Sequence, residues 1–197
     1  MNMHNEELVA FLSEGKGQLV FDTNALFAHL RFSQLCDDIN KLNKIKNYQL
    51  QIVVPALAHA EKLHDLRQSL GVDYKLKRVL KFLQEKKVKI MSFEQHHAEA
   101  TAELFAKQFP DKTSWLAYKR KRCCDCLSLT ASECEKKIDI LGKNKKCSAT
   151  IDWLIAGYAQ AEHSILVTDD KGIEFKDVVR KTNLDKLEVA LQQLQVW

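Results

Sequence analysis

The sequence predicts an α/β sandwich around a mostly parallel sheet, and three observations carry that expectation. Short apolar runs (Leu19 to Phe21, Gln51 to Val54, Val88 to Met91 and Ile165 to Thr168) alternate with longer stretches of helical period. The first and last of these runs are almost unbroken, as in strands covered on both faces. The 197 residues, 46% hydrophobic and 28% charged, suit one globular domain with a sizeable core.

In chain order, residues 1 to 17 read as a leading helix carrying Glu7, Leu8, Phe11 and Leu12, closed by Gly15 and Gly17. Leu19, Val20 and Phe21 form the first strand, which Asp22 ends. A helical stretch runs from Ala25 to about Lys46. After the second strand, Pro55 suits a helix start, because its missing N–H is no loss in the first turn. Leu57, Ala60, Glu61, Leu63 and His64 continue that helix until Gly71 breaks it. A further amphipathic helix spans about Asp73 to Lys86 and leads to the third strand. Ala98, Ala102, Phe105 and Phe109 give Glu94 to Phe109 a helical spacing. A helix from Ser148 carries Ile151, Leu154, Ile155, Tyr158 and Ala159, and the fourth strand follows. The tail from Asp177 to Trp197 is ambiguous between helix and short strand.

Four carboxylates recur at comparable places along this frame. Asp22 follows the first strand, Glu61 lies in the helix after the second, Asp152 is in the first turn of the helix before the fourth, and Asp170 lies just past the fourth. In such sheets, ligands gather beyond the carboxyl ends of the strands. Each acid has an ordinary structural reading: a helix cap for Asp22, a dipole partner for Asp152, a solvated position for Glu61 and a turn former for Asp170. Clustered carboxylates repel one another unless a cation neutralises them, and Mg²⁺ or Mn²⁺ prefers such oxygen ligands.

The segments Leu-Val-Phe-Asp-Thr-Asn at 19 to 24, Val-Val-Pro-Ala-Leu-Ala-His-Ala-Glu at 53 to 61, Thr-Ile-Asp-Trp-Leu-Ile-Ala at 150 to 156 and Ile-Leu-Val-Thr-Asp-Asp at 165 to 170 give the chain its resemblance. Their order and spacing resemble a PIN-domain ribonuclease, in particular the VapC-like toxin of VapBC-type toxin–antitoxin pairs. The resemblance covers roughly residues 18 to 109 and 148 to 180. It implies a PIN-like three-layer α/β/α sandwich: a single domain over 1–197, with an N-terminal extension at 1–17 and an insertion at about 110–147. It implies that Asp22, Glu61, Asp152 and Asp170 hold Mg²⁺ or Mn²⁺ as the catalytic and metal-binding quartet, with Asn24 and Thr168 as supporting polar groups. The implied reaction is metal-assisted endonucleolytic hydrolysis of RNA. The implied partners are RNA, a small antitoxin protein and a second copy of the chain in a homodimer.

Two rival readings stand beside it. A haloacid-dehalogenase-like phosphatase also begins with an Asp after the first strand, but needs a second Asp two residues on, where this chain has Asn24. A non-catalytic PIN scaffold that only binds RNA or protein is the other, and the intact quartet argues against it.

The insertion holds the basic character. Lys107 to Cys147 contains 11 Lys or Arg against 5 acids, a net of +6, so the rest of the chain carries −2 of the overall +4. Lys119, Arg120, Lys121 and Arg122 can neutralise phosphates, and Trp115 and Tyr118 just before them can stack on unpaired bases. The alternative is a solvated Lys-rich loop with its aromatic rings packed as anchors. Cys123, Cys126, Cys134 and Cys147 can supply four thiolates to Zn²⁺. A second closely spaced cysteine pair is missing, so reduced thiols are the first reading and zinc the second. The histidines show no convincing ligand spacing. No apolar run approaches the roughly 20 residues that span a bilayer. The first residues lack the pattern of a signal peptide, so a cytoplasmic protein without membrane contact is expected.

Overall fold

The computed structural model describes residues 3–118 and 149–196. Helix α1 (Asn5–Ser13) is followed by β1 (Lys16–Phe21), α2 (Thr23–Phe27), α3 (His29–Lys46) and β2 (Gln49–Pro55). Then come α4 (Ala56–Leu70), α5 (Leu76–Glu85), β3 (Val88–Met91) and α6 (Gln95–Gln108). Beyond the undescribed stretch lie α7 (Ala149–Ala161), β4 (Ile165–Val167), a 3₁₀ turn (Ile173–Phe175), β5 (Lys181–Thr182) and α8 (Leu184–Val196).

The five strands form one sheet in the order β3-β2-β1-β4-β5, and every pair is parallel. Parallel neighbours demand crossovers, so helices cover both faces and make a three-layer α/β/α sandwich. Helices α1, α3 and α8 pack together, as do α4, α6 and α7. The strand order reverses at β1: the chain leaves β1 towards β2 on one side and returns to β4 on the other. A crevice beyond the carboxyl ends of β1 and β4 results, the usual ligand position in such sheets.

The core follows the apolar runs. Leu19, Val20, Phe21, Ile52, Val53, Val54, Ile165, Leu166 and Val167 are buried, with Phe32, Leu35, Ile39, Trp153 and Leu187 packed over them. Leu8 and Leu12 of α1 belong to the same cluster, so the leading helix completes one face of the sandwich. Gly15 ends α1 at a φ of +72°, but Gly17 lies within β1. The strand starts earlier than its apolar run because Lys16 and Gly17 already pair with Gln49 and Leu50.

Helices α6 and α7 approach closely at Gly157. A Cβ there would lie 1.8 Å from the Thr101 hydroxyl and 2.9 Å from its Cα, so any larger residue forces the two helices apart. That crossing fixes α7, which carries Asp152 in its first turn. The expected helix from Ala25 to Lys46 is divided at Ala28, whose ψ of 55° is not helical. The ambiguous tail resolves into the two-residue strand β5 and helix α8.

Candidate active site

Asp22 ends β1 and is the N-cap of α2, so its structural and chemical readings coincide. Its Oδ1 accepts the Thr23 N–H at 2.6 Å and its Oδ2 accepts the Thr168 hydroxyl at 2.8 Å. Thr168 has one hydroxyl proton and gives it to Asp22. Its oxygen therefore accepts from the Asn24 amide at 3.2 Å and from the Asp170 N–H at 3.0 Å. Asn24 Oδ1 accepts the Asp169 N–H at 3.3 Å, which orients that side chain. Asn24 and Thr168 thus tie the end of β1 to the end of β4.

Glu61, on α4, accepts the Thr23 hydroxyl at 2.6 Å. The first turn of α2 therefore holds two of the four acids, Asp22 through the Thr23 backbone and Glu61 through its side chain. Asp170 accepts the Gly172 N–H at 2.6 Å. A Cβ on Gly172 would lie 2.2 Å from Glu174 Oε2 and 3.1 Å from Asp170 Oδ1, so glycine leaves room for both carboxylates.

The acids influence one another strongly. Asp22 is only 2% exposed, and burial pushes its carboxyl up to about 6. The Thr168 and Thr23 hydrogen bonds oppose that shift, while Asp170 and Glu61 add to it. Asp152, half-buried on α7, is pushed up to about 7 by burial and then by Asp22, Glu174, Glu61 and Asp170. The structure therefore brings all four sequence-picked acids to one pole of the sheet and adds a fifth, Glu174. Glu174 is 1% exposed in the 3₁₀ turn and accepts a hydrogen bond from the Tyr118 hydroxyl. Its sequence signal is faint: one charged residue between Ile173 and Phe175.

A hard cation fits this donor set. It consists of carboxylate oxygens, its most buried members are held ionised at a disadvantage, and no Lys or Arg of the described residues pairs with Asp22, Glu61 or Asp170 within 4 Å. The carboxylates do not all close on one point. Among the described residues, the three-donor group drawn within 4.8 Å is His96, His97 and Glu162, at the opposite pole. Mg²⁺ keeps several waters and does not need its carboxylates drawn so close.

The His96–His97–Glu162 group is built differently. His97 Nδ1 accepts the Glu94 N–H at 2.8 Å in the cap of α6, so the proton of the neutral ring sits on Nε2. That Nε2 lies 3.0 Å from Glu162 Oε1, as does Nε2 of His96. A metal needs a bare ring nitrogen, and His97, with Nδ1 committed to the α6 cap, meets Glu162 as an Nε2–H donor, so the cluster reads as a hydrogen-bonded latch. Spacing along the chain could not reveal it, because Glu162 is 65 residues from His97. His59 lines an apolar cleft with Leu26, Phe32 and Phe82, and the exposed His64 lies 3.3 Å from Gln68.

Of the insertion, residues up to Tyr118 are described, and residues 112–118 are helical. Trp115 and Tyr118 are half-buried and stack on each other at 5.5 Å, within a ring cluster of Phe105, Phe109 and Trp153. Trp153 donates its indole N–H to the Tyr118 hydroxyl at 3.2 Å. This engagement corresponds to the anchor alternative for the two rings. Lys119, Arg120, Lys121 and Arg122, and Cys123, Cys126, Cys134 and Cys147, lie outside the described residues.

The family model described as "PIN domain" matches residues 19–181. No curated protein matches the sequence. Among solved structures, a chain of VapBC2 from Rickettsia felis bound to a DNA fragment from their promoter is 16% identical with a TM-score of 0.45, over 84% of this chain and 98% of that one. A chain of FitAcB from Neisseria gonorrhoeae is 18% identical with a TM-score of 0.45, over 84% and 97%.

Proposed function

The chain belongs to the PIN domain family, a family of nucleases, and from that premise we propose that it is a Mg²⁺- or Mn²⁺-dependent endoribonuclease, the toxin of a toxin–antitoxin pair. Family membership sets aside the phosphatase reading. The observation that carries the proposal is the meeting of Asp22, Glu61, Asp152 and Asp170, from four separate elements, at one pole of the sheet.

In this reading the four carboxylates hold the cation. Thr23 and Thr168 fix the rotamers of Asp22 and Glu61 through the hydrogen bonds described above, so the charge is oriented before substrate arrives. Asn24 keeps the ends of β1 and β4 in register. A bound Mg²⁺ or Mn²⁺ supplies Lewis-acid polarisation of the scissile phosphate and a water of lowered pKa. No side chain need form a covalent bond to the substrate.

The expected partners are RNA, a small antitoxin protein that inhibits the nuclease, and a second copy of the chain, all in the cytoplasm. None of the described helices is long and apolar enough to cross a membrane. The test is incubation of purified protein with tRNA, ribosomal RNA and messenger RNA pools, with Mg²⁺, with Mn²⁺ or with EDTA, followed by sequencing of the new ends. Internal cuts that need the metal and vanish in Asp22→Ala are expected. Intact pools with either metal would sink the reading, and binding without cleavage would favour the non-catalytic scaffold.

A further inference from the structure

Next to the acids the surface changes sign. A cavity of about 370 Å³ opens off the site, sharing Thr168 and Asp170 with it, and Lys171, Lys176 and Lys181 contribute to its walls. We propose that this cavity is the subsite for a second phosphate of the bound strand, one next to the phosphate that is cut, and that Lys181 is its principal contact. The proposal rests on the nuclease reading above and specifies which side of the acids the strand takes.

Lys181 is the decisive residue. It sits on the edge strand β5, 7% exposed, and its Nζ donates to the Phe175 carbonyl at 2.8 Å. Among the described residues that is its only hydrogen bond, and an ammonium has three donors. Burial disfavours its charge and the nearby Asp170 carboxylate favours it, and an anion in the cavity would take up the two donors the Phe175 carbonyl leaves over. Lys171 and Lys176 are exposed and add charge at the rim. The cavity also contains Asp169 and Asp170, which an anion must tolerate. Asp169 accepts the Leu184 N–H at 3.2 Å at the start of α8, and Asp170 belongs to the cation site. Asn183 caps α8 by accepting the Lys186 N–H at 2.9 Å, so it is committed to the helix.

A nucleic-acid strand carries its phosphates at a fixed repeat. A cation-holding pole flanked by a lysine-lined cavity can therefore take the scissile phosphate and its neighbour together. The cavity reads no base. It favours strands with at least two consecutive phosphates over a dinucleotide with one.

A short oligoribonucleotide series with one neutral methylphosphonate at each linkage in turn provides the test. For the wild-type protein, binding by fluorescence anisotropy, with Mn²⁺ and with EDTA, should weaken roughly tenfold at one linkage beside the cut site. Lys181→Met should weaken binding of the all-phosphate strand by a similar factor, lower the salt slope by about one, and lose its deficit against that one methylphosphonate strand. In cleavage assays the loss should fall on KM, with kcat within about twofold. Lys171→Gln with Lys176→Gln, both exposed, should act in the same direction and more weakly. An even profile along the methylphosphonate series overturns the proposal, as does equal binding by wild type and Lys181→Met, or no binding by either. A protein that binds with this profile but cuts nothing would keep the subsite and defeat the nuclease reading alone.

Discussion

The two poles of the sheet treat carboxylates in opposite ways. At the carboxyl ends of the strands, Asp22 and Asp152 are crowded with Glu61, Asp170 and Glu174, and their carboxyls are pushed up to about 6 and 7. At the other pole Glu162 is surrounded by donors. The His96 ring and then the His97 ring hold its carboxyl below the usual range, and Gln18 donates to its second oxygen at 3.3 Å. One pole compensates its acid within the fold, while the other concentrates negative charge. Crowding of that kind costs stability in the metal-free protein, and in the proposed reading a bound cation offsets it.

Breaking the crowded pole should produce the largest effect. Asp22→Asn keeps an acceptor for the Thr23 N–H but removes the charge, so cleavage should fall at least about a hundredfold. Metal-free stability should rise. A carboxyl at about 6 folded against 3.8 unfolded binds its proton more tightly in the native state, so stability is lost as pH climbs from about 4 to 6. Above that window the disadvantage is up to about 3 kcal/mol, and Asp22→Asn should recover part of it, read by thermal denaturation in EDTA at pH 8. Undiminished cleavage, or a loss of stability in EDTA at pH 8, would contradict this account of Asp22.

Thr168→Val should come next. It removes the hydroxyl that donates to Asp22 and accepts from Asn24 and Asp170, so cleavage should fall roughly tenfold to a hundredfold with kcat carrying the loss. At the opposite pole the signs reverse. Glu162→Gln should lower stability by about 1–2 kcal/mol at pH 7 and leave cleavage unchanged. Because Glu162 titrates below its ordinary 4.5, that difference is present above about pH 4.5 and should vanish as the solution is acidified further. The smallest change is expected from neutralising Lys119 to Arg122 together: weaker RNA binding and a flatter salt dependence at unchanged stability. An unchanged salt slope would exclude them from the substrate path.

Much of this contrast is legible in the chain because its elements are locally determined. The runs at β1 and β4 are apolar at successive positions, and the acids that follow them need only the strand end to be placed. Glu61 and Asp152 are legible through helix register. What escaped depends on distant partners. β5 is two residues long and offers no period, and Lys181 within it reads as an ordinary surface lysine until pairing with β4 buries it. Glu174 becomes a site acid only because Gly172 leaves space beside Asp170. The Glu162 latch joins the start of α6 to the end of α7, a contact that neither helix encodes alone. Trp115 and Tyr118 look free to stack on bases until Phe105, Phe109 and Trp153 meet them.

The claim that the crowded acids form a cation site is tested most directly by calorimetric titration of the purified protein with Mn²⁺ at pH 6.5, in two buffers of different ionisation enthalpy. With carboxyls at about 6 and 7 in the metal-free protein, binding should release about one proton per molecule. Asp22→Asn should weaken the binding sharply, while Glu162→Gln should leave it intact. Absence of Mn²⁺ binding, or the same affinity and proton release in Asp22→Asn, would contradict it.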